Sequence, residues 1–468
     1  MTKLKYQKTL NKKLVAFLSI LSLSISLPLI PANAAVKAGG ACSKAGIIAS
    51  SAGKKYTCVK AGKKLVWDKG VGKATNNSTN PDPVISPASD FSSSAECKLK
   101  KPSNLSMDDG PMGSVGFPKT ADALPSTGNV NGLILFADFP DVIAMSDIKS
   151  PWISSSIPNA EKLFAFSSYG KMKLKIDLSS KVYRIKNQST YYNLMADPSG
   201  GPIANSPPPK LDEVITDALI AADSDVDFSQ YAFVTVATPQ SPTLALSGAT
   251  GLGPNPKQFD GVTYTKANFM PLDSLTPLDK AFRTLNFTHD IGHMLGLMHP
   301  YITGEGQPIT GAWDIMWNFA FQNDFFGWNK WKLDWITDGQ ISCLSSSPTK
   351  VLTQLLSSIG DSSKNQKMVV IKLSDESVLV IEVRRKSPFE NLKSSDEGVI
   401  VYKVDSTKIQ GSGPFTIISN PQKMLTYQNF QGILGTMKPG ESVSNSGYEI
   451  SVIKSVTDGD YISIKKSA

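Results

Sequence analysis

All three histidines of this chain fall within one short run, LNFTHDIGHMLGLMHP, at residues 285–300. No other feature narrows the fold as much. His289 and His293 are four residues apart, so on a helix they project from the same face about one turn apart. That suits two nitrogen ligands of one tetrahedral metal. Gly296 can take the positive φ that stops a helix and turns the chain sharply. His299 then returns to supply a third nitrogen. Three protein ligands leave a fourth position for water, the arrangement of a catalytic rather than a structural zinc. The spacing predicts a helix over 276–296, with Pro277 at its first turn and Gly296 at its end. It also predicts a Zn2+ site made by His289, His293 and His299.

The run matches the pattern H-E-x-x-H-x-x-G-x-x-H except at one place, where Asp290 stands instead of glutamate. In such sites a carboxylate takes a proton from metal-bound water as that water attacks a peptide carbonyl. Aspartate carries the same group on a stem one methylene shorter. A retraction of that order can cost about a hundredfold in rate. Three readings stay open. Asp290 acts as the base in an adjusted site; the site binds zinc but turns over poorly or not at all; or Glu305, in the following loop, substitutes. Met316, in GAWDIMWN (311–318), is placed to support the metal site from beneath. Asn318 and Tyr301 are candidate donors to the transition-state oxyanion. The span 300–312 is neither acidic nor glycine-rich enough to predict calcium.

The rest of the chain divides by composition. Residues 1–13 carry five lysines and no acid, 14–30 are apolar or serine, and Ala32-x-Ala34 offers a small-residue cleavage site. This is the layout of a secretory signal peptide over 1–34. No later segment is apolar enough to span a membrane. Residues 35–75 hold nine lysines and one acid, Asp68, so the formal net charge of +8 is concentrated there. They read as a small Cys-bridged β module, either a spacer or a patch that adheres to anionic cell-envelope polymers. The remainder has 34 basic and 39 acidic residues, which gives no reason to expect nucleic-acid binding. Export favours pairing of the four cysteines, with Cys42–Cys58 as the local bridge and Cys97–Cys343 as the long one. Cys97 as a latent zinc ligand is the less favoured alternative. Residues 76–96 read as a Ser/Asn/Pro-rich linker. Strands and helices alternate over 97–346, as in α+β domains. After 346 the segments KMVVIKL, SVLVIEVRR, EGVIVYKVD, YEISVIKSV and DYISIKK predict an all-β, sandwich-like domain over 347–468. The aromatics of FFGWNKWKLDWI read as a core helix.

These residues carry a family resemblance. The chain resembles the immune inhibitor A family of secreted zinc metallopeptidases, which have a metzincin-type fold. LILFADFPDV (133–142) is similar to the family's opening strand, FSSYGKMKLKIDL (166–178) to its next stretch, and VDFSQYAFVTVAT (226–238) to the strand after the first long helix. WDIMWN (313–318) and FGWNKWKLDWI (326–336) resemble the segment after the metal site; SVLVIEVRRK (377–386) and EGVIVYKVD (397–405) resemble the β region that follows. Together these cover most of 97–468. The resemblance implies zinc on His289, His293 and His299, the general-base position at Asp290, and the supporting turn at Met316. It implies an endopeptidase acting on protein or peptide substrates; with the signal peptide, the expectation is a secreted or surface-associated monomer. The alternative is an impaired zinc-binding pseudoprotease that serves as a surface binding protein.

Overall fold

The computed structural model describes residues 37–467 except 52–53, 63, 69–70, 73–80, 103–113, 196–205, 245–247, 251–257, 273–276, 301–312, 317–322, 391, 420–423 and 428–429. The segment read as a signal peptide, and Tyr301, Glu305 and Asn318, lie outside the described residues. The chain divides into two compact units, Met1–Asp82 and Pro83–Ala468.

In the first unit, Ile48–Ser51 (β1), Lys54–Ala61 (β2), Lys64–Trp67 (β3) and Val71–Gly72 (β4) form an antiparallel sheet in which β2 pairs with the other three. So small a sheet has little core, and the Cys42–Cys58 disulfide staples it. Lys37, Lys44, Lys60 and Lys64 are exposed.

The second unit is mixed α+β, mostly sheet with few helices. Its first sheet contains Gly128–Asp138 (β5), Met172–Leu178 (β6), Tyr183–Arg184 (β7), Phe233–Pro239 (β8), Gly248–Thr250 (β9) and Ala267–Leu272 (β12); Gln258–Phe259 (β10) and Val262–Thr263 (β11) form a separate hairpin. The order is β6-β5-β8-β12-β9, with β7 beside β5. Every pairing is parallel except that of β9, which runs antiparallel to β12 at the edge. Helices Ile157–Ser167 (α1) and Pro277–Met294 (α3) cover one face, and Leu211–Ala222 (α2) the other. Along β5, Val130, Ile134 and Phe136 join the α1/α3 core, whereas Leu133, Leu135 and Ala137 join the α2 core. A parallel sheet buried on both faces explains why NGLILFADF reads as an unbroken apolar run rather than an alternating one.

After α3 comes a short helix, Gly327–Lys332 (α4). Two sheets follow. The five-stranded one contains Ile341–Leu344 (β13), Met368–Lys372 (β15), Ser377–Arg384 (β16), Gly398–Asp405 (β17) and Phe415–Ile417 (β18), in chain order across the sheet. The four-stranded one contains Leu352–Leu356 (β14), Ser442–Asn445 (β21), Tyr448–Val456 (β22) and Gly459–Lys466 (β23); Met424–Tyr427 (β19) and Phe430–Leu434 (β20) form a hairpin. The two sheets share a core that includes Val369, Ile381, Val401, Ile450 and Ile462. The other face of the five-stranded sheet packs on Phe326, Trp328 and Trp331. Hence β16 is buried along its whole length.

Two boundaries differ from those expected. The position 346/347 falls inside the paired sheets, because β13 runs parallel to β15. The linker reading of 76–96 divides at the start of the second unit: Ser86 N–H donates to Thr353 O at 2.9 Å, and Ser92 bridges to Cys343. The Cys97–Cys343 disulfide joins this entry segment to β13. Cys97 is therefore not available as a latent zinc ligand.

Candidate metal centre

Helix α3 presents His289 and His293 from its last turns, and its end is built to bring the third histidine back. Leu297 N–H donates to Gly292 O at 3.1 Å, and Gly296 N–H donates to His293 O at 2.8 Å. These are the two bonds of a Schellman cap, which needs a left-handed residue just past the helix. Gly296 takes that place with φ +87°. The reversal also aims Leu297 O at the ring of His293, whose Nδ1 lies 2.9 Å away.

The three Nε2 atoms meet at one point. His289–His293 is 2.9 Å, and His299 lies 3.0 Å from each of the other two. Nδ1 of His289 is 2.9 Å from Ile315 O. A backbone carbonyl only accepts, so Nδ1 carries the proton in both His289 and His293. Their Nε2 atoms are then both acceptors, facing each other across 2.9 Å. No hydrogen bond can form between them, whatever the tautomer of His299. Lone pairs held in that repulsive contact are what a bound cation would satisfy, and second-row tethers of this kind orient metal-binding imidazoles. The rings are also kept neutral, as ligation requires. Burial, and for His299 the neighbouring His289, lowers His289 to about 4 and His299 to about 3, and burial pushes His293 well below its usual value. The three residues can hold a metal ion.

Asp290 is buried beside this cluster. Its Oδ2 accepts a 2.9 Å hydrogen bond from Asn268 Nδ2, on the neighbouring strand β12. Burial raises the carboxyl to about 7, and the Asn268 bond opposes that rise. The charge of a bound dication would oppose it further.

Met316 is fully buried under α3. Its Sδ lies against the backbone at Gly292, where a Cβ would stand only 2.3 Å from it. A glycine inside a helix costs about 0.5–1 kcal/mol relative to alanine. Here it admits Met316 between the two histidines in sequence. Gly292→Ala is expected to overpack this contact and lower stability by about 1–3 kcal/mol. Denaturant unfolding measures that loss, and an unchanged midpoint would show that Met316 shifts freely.

The turn that carries Met316 is held by charged groups. Asp314 accepts from Met316 N–H at 2.7 Å, Phe326 N–H at 2.6 Å and Asn329 Nδ2 at 2.9 Å. Arg384, from β16, donates to Trp313 O at 2.7 Å and to Phe325 O at 3.3 Å. It pairs with Glu382 at 2.8 Å and with Glu390. Glu382 in turn accepts from Gly327 N–H and Tyr402 Oη, each at 2.8 Å. Lys332 Nζ, also buried, donates to Gly296 O at 3.2 Å and to Ser114 O.

Sequence reasoning placed the three histidines, Asp290, Gly296 and Met316, and the structure brings all six to one end of α3. It missed Asn268, Gly292, Asp314 and Arg384. Gly292 had a legible signal, a glycine in a helix interior. The others act across long separations. Among the described residues, no helix is long and apolar enough to cross a membrane. No protein-family model matches the chain, and no curated protein matches it.

Proposed function

We propose that the chain is an exported zinc-dependent metalloendopeptidase of the metzincin type, similar to the immune inhibitor A family. One observation carries this reading: three imidazole nitrogens, on two buried rings and one half-buried ring, converge within 3.0 Å, and the two buried rings are tethered through Nδ1 so that their lone pairs must point inward. Three nitrogens with a further position open is the donor set of catalytic zinc. Zinc in such a site acidifies bound water and polarises a peptide carbonyl. The chain's own residues do the rest. His289, His293 and His299 would hold the ion, Met316 and the 313–316 turn would fix His289 through Ile315 O, and Asp290 would accept the proton. The two disulfides and the lysine-rich first unit fit an extracellular protein. Its exposed lysines suit anionic envelope polymers.

The second reading, a zinc-binding pseudoprotease, is favoured by one feature. The Asp290 carboxylate is buried and tied to Asn268. A casein assay with zinc-loaded wild type, Asp290→Glu and His293→Ala separates the two. The peptidase reading expects turnover by wild type and none by His293→Ala. An inert wild type with an active Asp290→Glu would establish the second reading. Equal activity of all three would remove the zinc assignment.

A further inference from the structure

We infer that Asn268 is a positioning residue for Asp290, its amide fixing the direction of the carboxylate that stands beside the first metal-binding histidine. The inference rests on the peptidase reading for its kinetic consequence, and on geometry alone for the contact.

Asn268 is the second residue of β12, flanked by β8 and β9, with no exposed surface. Its neighbours on the α3-facing side are apolar, such as Met270. An asparagine there is a poor choice for sheet stability. Its Nδ2 reaches Asp290 at 2.9 Å, but its Oδ1 has no hydrogen-bond partner. Thr235, in register with it on β8, does not fill that need, because its own hydroxyl is also unpartnered. Burying a carbonyl oxygen without a donor costs stability. An apolar side chain of the same size would avoid that cost. The amide therefore serves the one group it contacts. Against the ionised carboxylate the amide keeps this orientation, because the flipped amide would set its oxygen against the Asp290 oxygens. Asp290 has only two side-chain torsions, and this bond from a central strand leaves it little freedom. A carboxylate one methylene short of the usual length has less reach to spare, so its direction matters more.

The test uses the zinc-loaded full-length protein in four forms: wild type, Asn268→Leu, Asp290→Glu and the double variant. Asn268→Leu is expected to keep its zinc and its fold. Its kcat on casein should fall about 10–100-fold, the usual effect of losing a group that orients a site residue, with KM little changed. In the Asp290→Glu background the same substitution should have a much smaller effect, because the longer side chain no longer ends beside Asn268. Equal losses in both backgrounds, or no loss in either, would overturn the proposal. If wild type is inert while carrying zinc, the peptidase reading has failed and melting temperatures decide this one. Asn268→Leu and Asp290→Ala should then be strongly non-additive, since each removes the same bond. Additive shifts would overturn the contact itself.

Discussion

His293→Ala will release the metal and abolish any metal-dependent activity. The expected loss of zinc affinity exceeds the ~10–100-fold that follows removal of a supporting hydrogen-bond partner, because a first ligand is gone. His293 is one corner of a near-equilateral triangle of nitrogens. Its Nε2 is 2.9 Å from that of His289 and 3.0 Å from that of His299. It is also the ring that Leu297 O aligns. The effect should be visible in stability. A ligand that binds only the folded state at a hundred times its Kd adds about 2.7 kcal/mol. Zinc should therefore raise the melting temperature of wild type and leave that of His293→Ala unmoved. A zinc-dependent rise retained in His293→Ala would mean that the ion binds elsewhere.

Arg384→Leu will destabilise the second unit by about 3–5 kcal/mol, the range for removing one partner of a buried ion pair. The guanidinium has no exposed surface, and neither has the Glu382 side chain that it pairs with. Without it, Glu382 and Glu390 are left as buried carboxylates with less to balance them. Trp313 O and Phe325 O also lose a donor. Arg384→Lys should recover little, since one ammonium cannot serve two carboxylates and two carbonyls in the fork geometry that arginine provides. The exposed Lys175–Asp177 pair is the natural control, because surface pairs contribute little. Because Trp313 belongs to the turn that carries Met316, the arginine variant should also bind zinc more weakly under conditions where it remains folded. Urea unfolding of Arg384→Leu, Arg384→Lys and the control Lys175→Ala measures the first effect, and zinc titration the second. An Arg384→Leu midpoint as high as that of wild type would show that the network carries no net stability.

What could be read from the chain was what local spacing encodes. His289, His293, Gly296 and His299 lie on one helix end and one turn, so their convergence follows from helix geometry and a glycine. Cysteine pairing was legible because there were only four cysteines and one close pair among them. Among the parallel strands, β5 was legible as an apolar run and β6 as an alternating one, while β12 carried no pattern that marked it. What escaped was what distant segments do to one another. Asn268 meets Asp290 across 22 positions and from a different element. Arg384 looks like a charge at the end of a strand. It reaches Trp313 across 71 positions because β16 is covered on both faces. Ile341–Leu344 reads as the end of the first domain, but it pairs with β15. Serine, asparagine and proline over 76–96 signal a solvated linker, but within it Ser86 and Ser92 are spent on backbone contacts with the later strands. The shortened carboxylate was visible as an anomaly, while the asparagine that holds it was not.

The central claim is that His289, His293 and His299 form one metal site. X-ray absorption at the zinc edge of the metal-loaded protein tests it most directly, with His293→Ala measured beside it. The geometry predicts about one zinc per chain with three imidazole nitrogens at about 2.0–2.1 Å, and loss of that signal in the variant. A wild-type chain that takes up no zinc, or a spectrum unchanged by His293→Ala, would contradict it.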